Sequence, residues 1–522
     1  MPKALKKMNR YILLAVVTLI LFTLSCGSKP ADVRLWVPAD SLAYLRSDDL
    51  GKAMSALTAA PSFKHLSRSQ PDLSALNGIR LAVAVTGFET SESPVDHESS
   101  VLNFQPRFVA IVETNAWNYQ ALKFTEERLG EFVNERYGGG IELETNDRPD
   151  GRYFVWTAED GRKAFALVNG SVIFFGNDES AIEKCLAVKR GEAEGLKPYD
   201  DSQGTLASAY ISPDGVAQIS NLVGIQFAMT GGEEGEVQSF IARVLPQMIR
   251  GAVNDVKWTA TAVEGGIDDR FVVSGTGDTA RLFAETMAPG DGSDAALTAL
   301  VPAGVVSATR YGIKDPQVAW RSVVLTGQKS TDQMSGALIA GFSSSLFEPY
   351  GVEQDEAFLS SVGPHIVTAK FDAEGNDVVV ITTIRDKDRM RSSLAKELSL
   401  SRTPEKIGDA DVWRSDDGDL AAAILGDILI LGDADSVAKC LGTKTGEALN
   451  NKMFMEAKAS SVTFGKDSEV AAKIVDALSE RKNAEENFPV TYLTETRFNL
   501  NGMERRTVSE YGMMGTILVN LK

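Results

Sequence analysis

One stretch of this chain occurs twice, and that repeat limits the folds open to it more than any other feature. KAFALVNGSVIFFGNDESAIEKCL (Lys163–Leu186) returns as DLAAAILGDILILGDADSVAKCL (Asp419–Leu441). Gly170 matches Gly426, Gly176 matches Gly432, Ser180 matches Ser436 and Cys185 matches Cys440, about 256 residues apart. Solenoid units recur every ~20–50 residues, so a period this long implies a duplicated domain. A chain of 522 residues also exceeds what one ordinary core organises.

Other segments pair off in the same order. Val37-Pro38-Ala39 matches Val301-Pro302-Ala303, and each leads into a run that alternates as a strand does. Arg80–Phe88 with Arg107–Thr114, and His365–Phe371 with Asp377–Ile384, read as strand pairs. The second pair closes over the short loop Asp372–Asn376, the first over a long polar loop, Glu89–Pro106. Helices are expected at Trp117–Val133 and Lys387–Leu398. The repeated stretch reads as a meander turning at Asp160-Gly161 and Asn169-Gly170, dipeptides that take the positive φ of tight hairpins. It leads into helices capped by Ser180 and Ser436, and Ser180 with Glu183 has capping-box spacing. Ser208–Val223 parallels Ser461–Leu478, each a strand then a helix; Trp258–Gly275 parallels Leu493–Glu510, each a hairpin.

Hairpins with helices grouped between them predict an α+β fold, internally duplicated, with antiparallel sheets and packed helices in two homologous halves. The expected boundaries are 1–25 for a signal peptide, 26–32 for a tether, 33–290 for the first half and 291–522 for the second. Within the halves, submodules are expected at about 33–205, 206–290, 296–455 and 456–522, with Gly290–Asp294 as the linker.

The N-terminus reads as an address. Lys3, Lys6, Lys7 and Arg10 precede a 14-residue apolar run, Tyr11–Leu24. That is shorter than the ~20 residues a membrane-spanning helix needs, which favours a signal peptide. Thr23-Leu24-Ser25-Cys26 resembles a bacterial lipobox, in which the cysteine is acylated and becomes the N-terminus. Ser25 fits that pattern and Thr23 departs from it, because leucine is usual there. The resemblance implies lipidation at Cys26 and a protein held in the cell envelope, at the outer membrane or the periplasmic face of the inner one; Gly27 favours the former. Several acyl chains, each adding ~0.8 kcal/mol per buried methylene, would anchor it stably.

Charge narrows the partners, and cysteine use agrees with export. Removing residues 1–25, with their four basic and no acidic side chains, takes the formal charge from −18 to −22. A body that acidic repels phosphate backbones and anionic headgroups, so nucleic acid is not an expected partner. Beyond Cys26 only Cys185 and Cys440 remain, each on the apolar face of an expected helix, where cysteine acts as a small hydrophobe. Two thiols make no disulfide framework, and a bridge between them is a minor alternative.

Several motifs invite a catalytic reading. Ser436-Val437-Ala438-Lys439 and Lys444-Thr445-Gly446 look like the Ser-x-x-Lys and Lys-Thr-Gly of penicillin-recognising enzymes. They lie too close together for that fold, however, and the other copy carries KRGEA (Lys189–Ala193) where this one carries KTGEA (Lys444–Ala448), so the triplet reads as a helix-ending loop. Histidine is limited to His65, His97 and His365, with no paired-ligand spacing. His97, between Asp96 and Glu98, is the one candidate for a metal, against a solvated loop. Gly138-Gly139-Gly140, Gly231-Gly232 and Gly275-Thr276-Gly277 lack phosphate-loop spacing and read as turns. Asp416-Asp417-Gly418-Asp419 lacks the calcium-loop pattern. Ser335–Val352 reads as a core helix, with a partner-binding helix as the alternative.

VPADSLAYLR and the repeated meander-plus-helix resemble a loose group of uncharacterised bacterial envelope proteins, over about a third of the chain. That resemblance implies location and no activity. The sequence therefore leads to a non-catalytic envelope lipoprotein that engages a protein or an envelope polymer and needs no cofactor. A carrier of an apolar or lipid ligand is the first alternative, since Val172–Phe175 and Ile428–Leu431 read as strands covered on both faces. A hydrolase working through carboxylates is the second.

Overall fold

The computed structural model describes residues 32–94, 100–196, 204–229, 235–290, 294–343, 347, 351–352, 354–394, 398, 403–444, 446–483 and 486–520. Cys26, His97, Gly231-Gly232 and Thr445 lie outside the described residues.

In chain order, β1 (Ala43–Ser47) is followed by helices α1 (Leu50–Thr58) and α2 (Pro61–Leu66), then by strands β2 (Arg80–Pro94) and β3 (Ser100–Glu113). Helix α3 (Asn118–Phe124) runs through a π-helical turn at Thr125–Leu129 into α4 (Gly130–Tyr137). The meander is β4 (Glu142–Arg148), β5 (Gly151–Thr157), β6 (Lys163–Asn169) and β7 (Val172–Gly176), and it leads into α5 (Glu179–Lys189). Then come β8 (Thr205–Ile211), α6 (Pro213–Met229), α7 (Gly235–Ala252), the hairpin β9 (Val253–Val263) and β10 (Gly266–Gly275), and α8 (Gly277–Thr286).

The second part of the chain begins with β11 (Ser307–Gly312), α9 (Pro316–Ser330), α10 (Gln333–Phe342), α11 (Asp355–Ser361), β12 (Val362–Lys370), β13 (Val378–Ile384) and α12 (Lys387–Ser393). Strands β14 (Glu405–Ile407), β15 (Ala410–Arg414), β16 (Leu420–Leu425) and β17 (Ile428–Asp433) lead into α13 (Ala434–Leu441). It closes with β18 (Ser461–Asp467), α14 (Val470–Leu478), the hairpin β19 (Val490–Asn499) and β20 (Gly502–Ser509), and α15 (Gly512–Asn520). The fold is mixed α+β with antiparallel strand pairing.

Two compact units emerge. The smaller comprises residues up to 40, 78–84 and 107–199. Its strands pair in the order β3–β7–β6–β5–β4. One face of these strands, with Phe154, Trp156, Ala166 and Ile173, packs on Ala121 and Val133 of α3 and α4. Helix α5 supplies the buried Ile182, Cys185 and Leu186.

The larger unit holds residues 41–77, 85–106 and everything from 200 onward. From β1 its ladder runs β8–β9–β10–β20–β19–β18–β11–β12–β13–β17–β16–β15–β14. Pairing orders recur along the chain: β11 lies between β12 and β18 as β1 lies between β2 and β8, and β17 lies between β13 and β16 as β7 lies between β3 and β6. The segments after the two Val-Pro-Ala triplets are held alike. Ala39 N–H donates to Glu194 O at 3.0 Å and Leu196 N–H to Val37 O at 2.7 Å; Ala303 N–H donates to Glu447 O at 2.9 Å and Leu449 N–H to Val301 O at 2.7 Å. Hydrogen bonding thus matches Glu194 with Glu447, two residues beyond the alignment of KRGEA with KTGEA.

Three local expectations need correction. The segment Glu89–Pro106 is not a loop over most of its length, because β2 runs on to Pro94 and β3 begins at Ser100. The serines are not the helix caps: Asp178 accepts Ser180 N–H at 3.0 Å and Asp433 accepts Ser436 N–H at 2.7 Å. A carboxylate two or three residues upstream meets the exposed N–H groups of the first turn with a full charge, and there it outranks a hydroxyl. Glu183 accordingly closes no capping box and pairs with Arg148 at 3.2 Å. Asp294, placed in the linker by sequence, is buried against Arg310 at 2.9 Å.

The centre of the larger unit is where β10 meets β20. Ile267 pairs with Ser509, Asp269 with Thr507, Arg270 with Arg506 and Ser274 with Gly502. Helices from distant parts of the chain cover one face of these strands. Leu57 of α1, Phe63 and Leu66 of α2, Ile474 and Val475 of α14, and Met514 of α15 share one core with Trp258 and Ile267. On the same sheet Phe283 of α8 stacks on Phe498 of β19, centroids 5.0 Å apart.

Candidate functional site

Side chains alternate across a strand, so β10 sends Asp269, Phe271 and Val273 to one face and Asp268, Arg270 and Val272 to the other. The register carries this across to β20, whose Met503, Arg505 and Thr507 share the face of Asp269 and whose Glu504 and Arg506 share the opposite one. The two faces have different chemistry. On the outer one Arg270 pairs with Glu504 at 2.8 Å and Arg506 with Asp268 at 2.7 Å, a reciprocal arrangement around the facing arginines. Arg497 pairs with Glu495 beside them.

Where α14 and α15 begin, the inner face bears a half-open pocket of about 480 Å³. Ligand sites span ~300–1,000 Å³, so this volume suits a small molecule. Phe271, Val273, Val470, Val490, Met503 and Met513 make most of its wall, with Arg505, Thr507 and Tyr492 among them. A second, more polar cavity of about 750 Å³ adjoins it and shares Asp467, Val470, Tyr492 and Thr516. The phenol ring of Tyr492 lies across Gly465, where a Cβ would collide with it. That glycine gives the ring its place in the wall.

Two carboxylates reach the first cavity, and both hold helix N-termini. Asp269 is 2% exposed. It accepts Trp258 Nε1–H at 2.8 Å and Met513 N–H at 2.7 Å, so a strand acid caps the first turn of α15. Desolvation pushes its carboxyl up to about 6, against the opposing pull of those two hydrogen bonds. Gly512 stands at φ +58°, where a Cβ would meet Asp269 Oδ2 at 2.6 Å, so this cap requires glycine. Asp467 accepts the N–H groups of Glu469 at 2.8 Å and Val470 at 2.9 Å at the start of α14. Arg505 is exposed at the cavity and, among the described residues, its side chain has no hydrogen bond or ion pair. Burial, and after it the charge of Asp467, raise the Tyr492 phenol above its ordinary range, and the Arg505 charge partly offsets that rise.

The motifs singled out from sequence lie elsewhere. Ser436 is fully buried in the first turn of α13. Lys444 and Gly446 flank the turn beyond that helix. His65 contacts Glu486 at 2.9 Å and Phe488, and His365 lies on β12. Gly138, Gly139 and Gly140 all take positive φ where α4 ends. Ser335–Val352 is helical only to Phe342 among the described residues. Cys185 and Cys440 are free, buried thiols, each pushed up to about 12 by desolvation. No group of three or more His, Cys, Asp or Glu side chains gathers among the described residues in the way a metal would require. Sequence reasoning did not find Asp269, Arg505 or Tyr492. Their only signal is a charged residue at an inward position of an alternating strand, and the sequence does not say which face is inward.

Compared with known family models, curated proteins and solved structures, the chain finds no match.

Proposed function

We propose that this chain is a lipid-anchored protein of the cell envelope, acylated at Cys26, that binds its ligand without transforming it. Its body is read as two copies of one α+β module joined edge to edge through β10 and β20. The repeated stretch, the matched pairing orders and the matched Val-Pro-Ala clasps support the duplication. The observation that carries the binding reading is the cavity at the β10–β20 junction: its wall is mainly apolar, and its carboxylates are committed to helix caps rather than to acid–base work. An apolar or lipid ligand fits that wall best. No helix among the described residues is long and apolar enough to cross a membrane, and the acyl group on Cys26 supplies the anchorage in this reading.

Contact with an envelope protein or polymer is the second reading. Trp117 is 75% and Tyr119 66% exposed at the start of α3, and aromatic rings displayed in this way are where partners dock.

Intact mass and fractionation of the native protein beside a Cys26→Ala variant test the anchor. The expected result is a native mass that begins at acylated Cys26 and sediments with membranes, with the variant released or unprocessed. Identical behaviour of the two, with no acyl mass, would overturn the lipoprotein reading. A solvent extract of the purified protein, with lipid found at no more than background, would count against the apolar ligand.

A further inference from the structure

We infer that the β10–β20 cavity binds an acyl chain ending in an anionic head group, with the chain among Phe271, Val273, Met503 and Met513 and the head group on Arg505. This rests on the apolar-ligand reading above and adds the charge of the ligand to it.

The argument begins from contrast among neighbouring arginines. Arg270, Arg497 and Arg506 lie on the outer face of the same strands, and each has a carboxylate partner. Arg505 lies on the inner face, directly across from Phe271 in the pairing of β20 with β10. Its side chain has no hydrogen bond or ion pair among the described residues, although Asp269 and Asp467 line the same cavity. Those two acids are turned to the N–H groups of Met513, Glu469 and Val470, and Asp269 also to Trp258. The guanidinium therefore keeps its donor fork for something that enters. A planar fork of this kind matches carboxylate and phosphate oxygens. Tyr492 lines the same cavity.

The surrounding charge is close to balanced. Helices α14 and α15, each of nine residues, begin at the cavity with Val470 and with Gly512 and Met513. Their N-terminal partial charges, about half a charge each, offset about half of the two capping acids, and Arg505 offsets the rest. The remaining wall has no charge to hold a cationic ligand, and its aliphatic and aromatic surface suits methylenes.

The test uses the full chain in nanodiscs of a zwitterionic phospholipid, titrated with a fluorescent polyene fatty acid. Palmitate, lysophosphatidate and 1-hexadecanol serve as competitors, and identical nanodiscs carrying Arg505→Gln serve as the reference. A charge-assisted contact contributes ~1.5–3 kcal/mol, so the substitution should weaken binding of the acid by roughly tenfold to a hundredfold. Hexadecanol should compete at least tenfold less well than palmitate on the native protein. Stronger competition by lysophosphatidate than by palmitate would identify a lipid phosphate as the head group, and the reverse a free carboxylate. A second variant, Val273→Trp, fills the cavity and should abolish binding of acid and alcohol alike.

Failures are distinguishable. If alcohol and acid compete equally, the apolar-ligand reading stands and the assignment to Arg505 falls. If neither binds above the level of empty nanodiscs, both fall. Should Arg505→Gln lose its fold, seen by circular dichroism, the comparison of acid with alcohol on the native protein decides alone.

Discussion

Asp269 shows how one buried side chain ties remote parts of the chain together. It sits on β10, takes the indole N–H of the neighbouring strand, and accepts the N–H of Met513, 244 residues later, in the first turn of α15. Its carboxyl titrates near 6 because burial disfavours the ionised form. The folded protein therefore binds this proton more tightly than the unfolded chain does. The stabilisation linked to it is complete below about pH 4 and is lost as pH rises through 6. At ~1.4 kcal/mol per pH unit the loss comes to about 3 kcal/mol. Urea unfolding of the native protein and of Asp269→Asn, compared from pH 4 to pH 7, should show the difference between them shift by about that amount. Parallel pH profiles would mean that ionised Asp269 is not penalised in its site. Sequence offered no route to this residue, because nothing in its neighbourhood distinguishes one acid among 71.

At the scale of elements, local chemistry was legible and remote pairing was not. The hairpins β9–β10, β12–β13 and β19–β20 and the meanders were anticipated, because their Gly-bearing turns and apolar alternation lie within a few residues of one another. The extension of β2 and β3 past Phe88 was not. A hairpin arm rich in Ser, Glu and Thr satisfies its backbone by cross-strand hydrogen bonds and leaves no apolar pattern to read. The meeting of β10 with β20 was not legible either, since edge pairing between distant segments has no local mark. The clasp of Arg310 belongs with these. On β11 its guanidinium is 3% exposed and reaches Asp294 at 2.9 Å, Phe454 O at 2.7 Å and Ala457 O. Removing one member of a buried pair strands the other charge, at ~3–5 kcal/mol. Asp294→Ala should lower the unfolding free energy by about 3 kcal/mol, and the double variant Asp294→Leu/Arg310→Met should recover most of it. A loss under about 1 kcal/mol in urea titration would place this pair with exposed ones such as Arg270–Glu504.

For the whole molecule, the two thiols report on the integrity of both compact units at once. Cys185 lies in the smaller unit and Cys440 in the larger, each at 0% exposure. A thiol titrating near 12 offers almost no thiolate at neutral pH. Cys185 and Cys440 should therefore both resist a thiol reagent in the native protein and both react once it is denatured. One fast thiol in native protein would show that the unit bearing it opens locally. The strand order carries one more consequence. β10 and β20 each take up the hydrogen-bonding edge that the other would otherwise leave bare. A strand the length of β20, eight residues, left open would invite any passing strand to add to it, the first step toward fibres and aggregates. The covalent join brings the right strand to that edge before a stranger can reach it, so each hairpin acts as a chaperone for the other's edge.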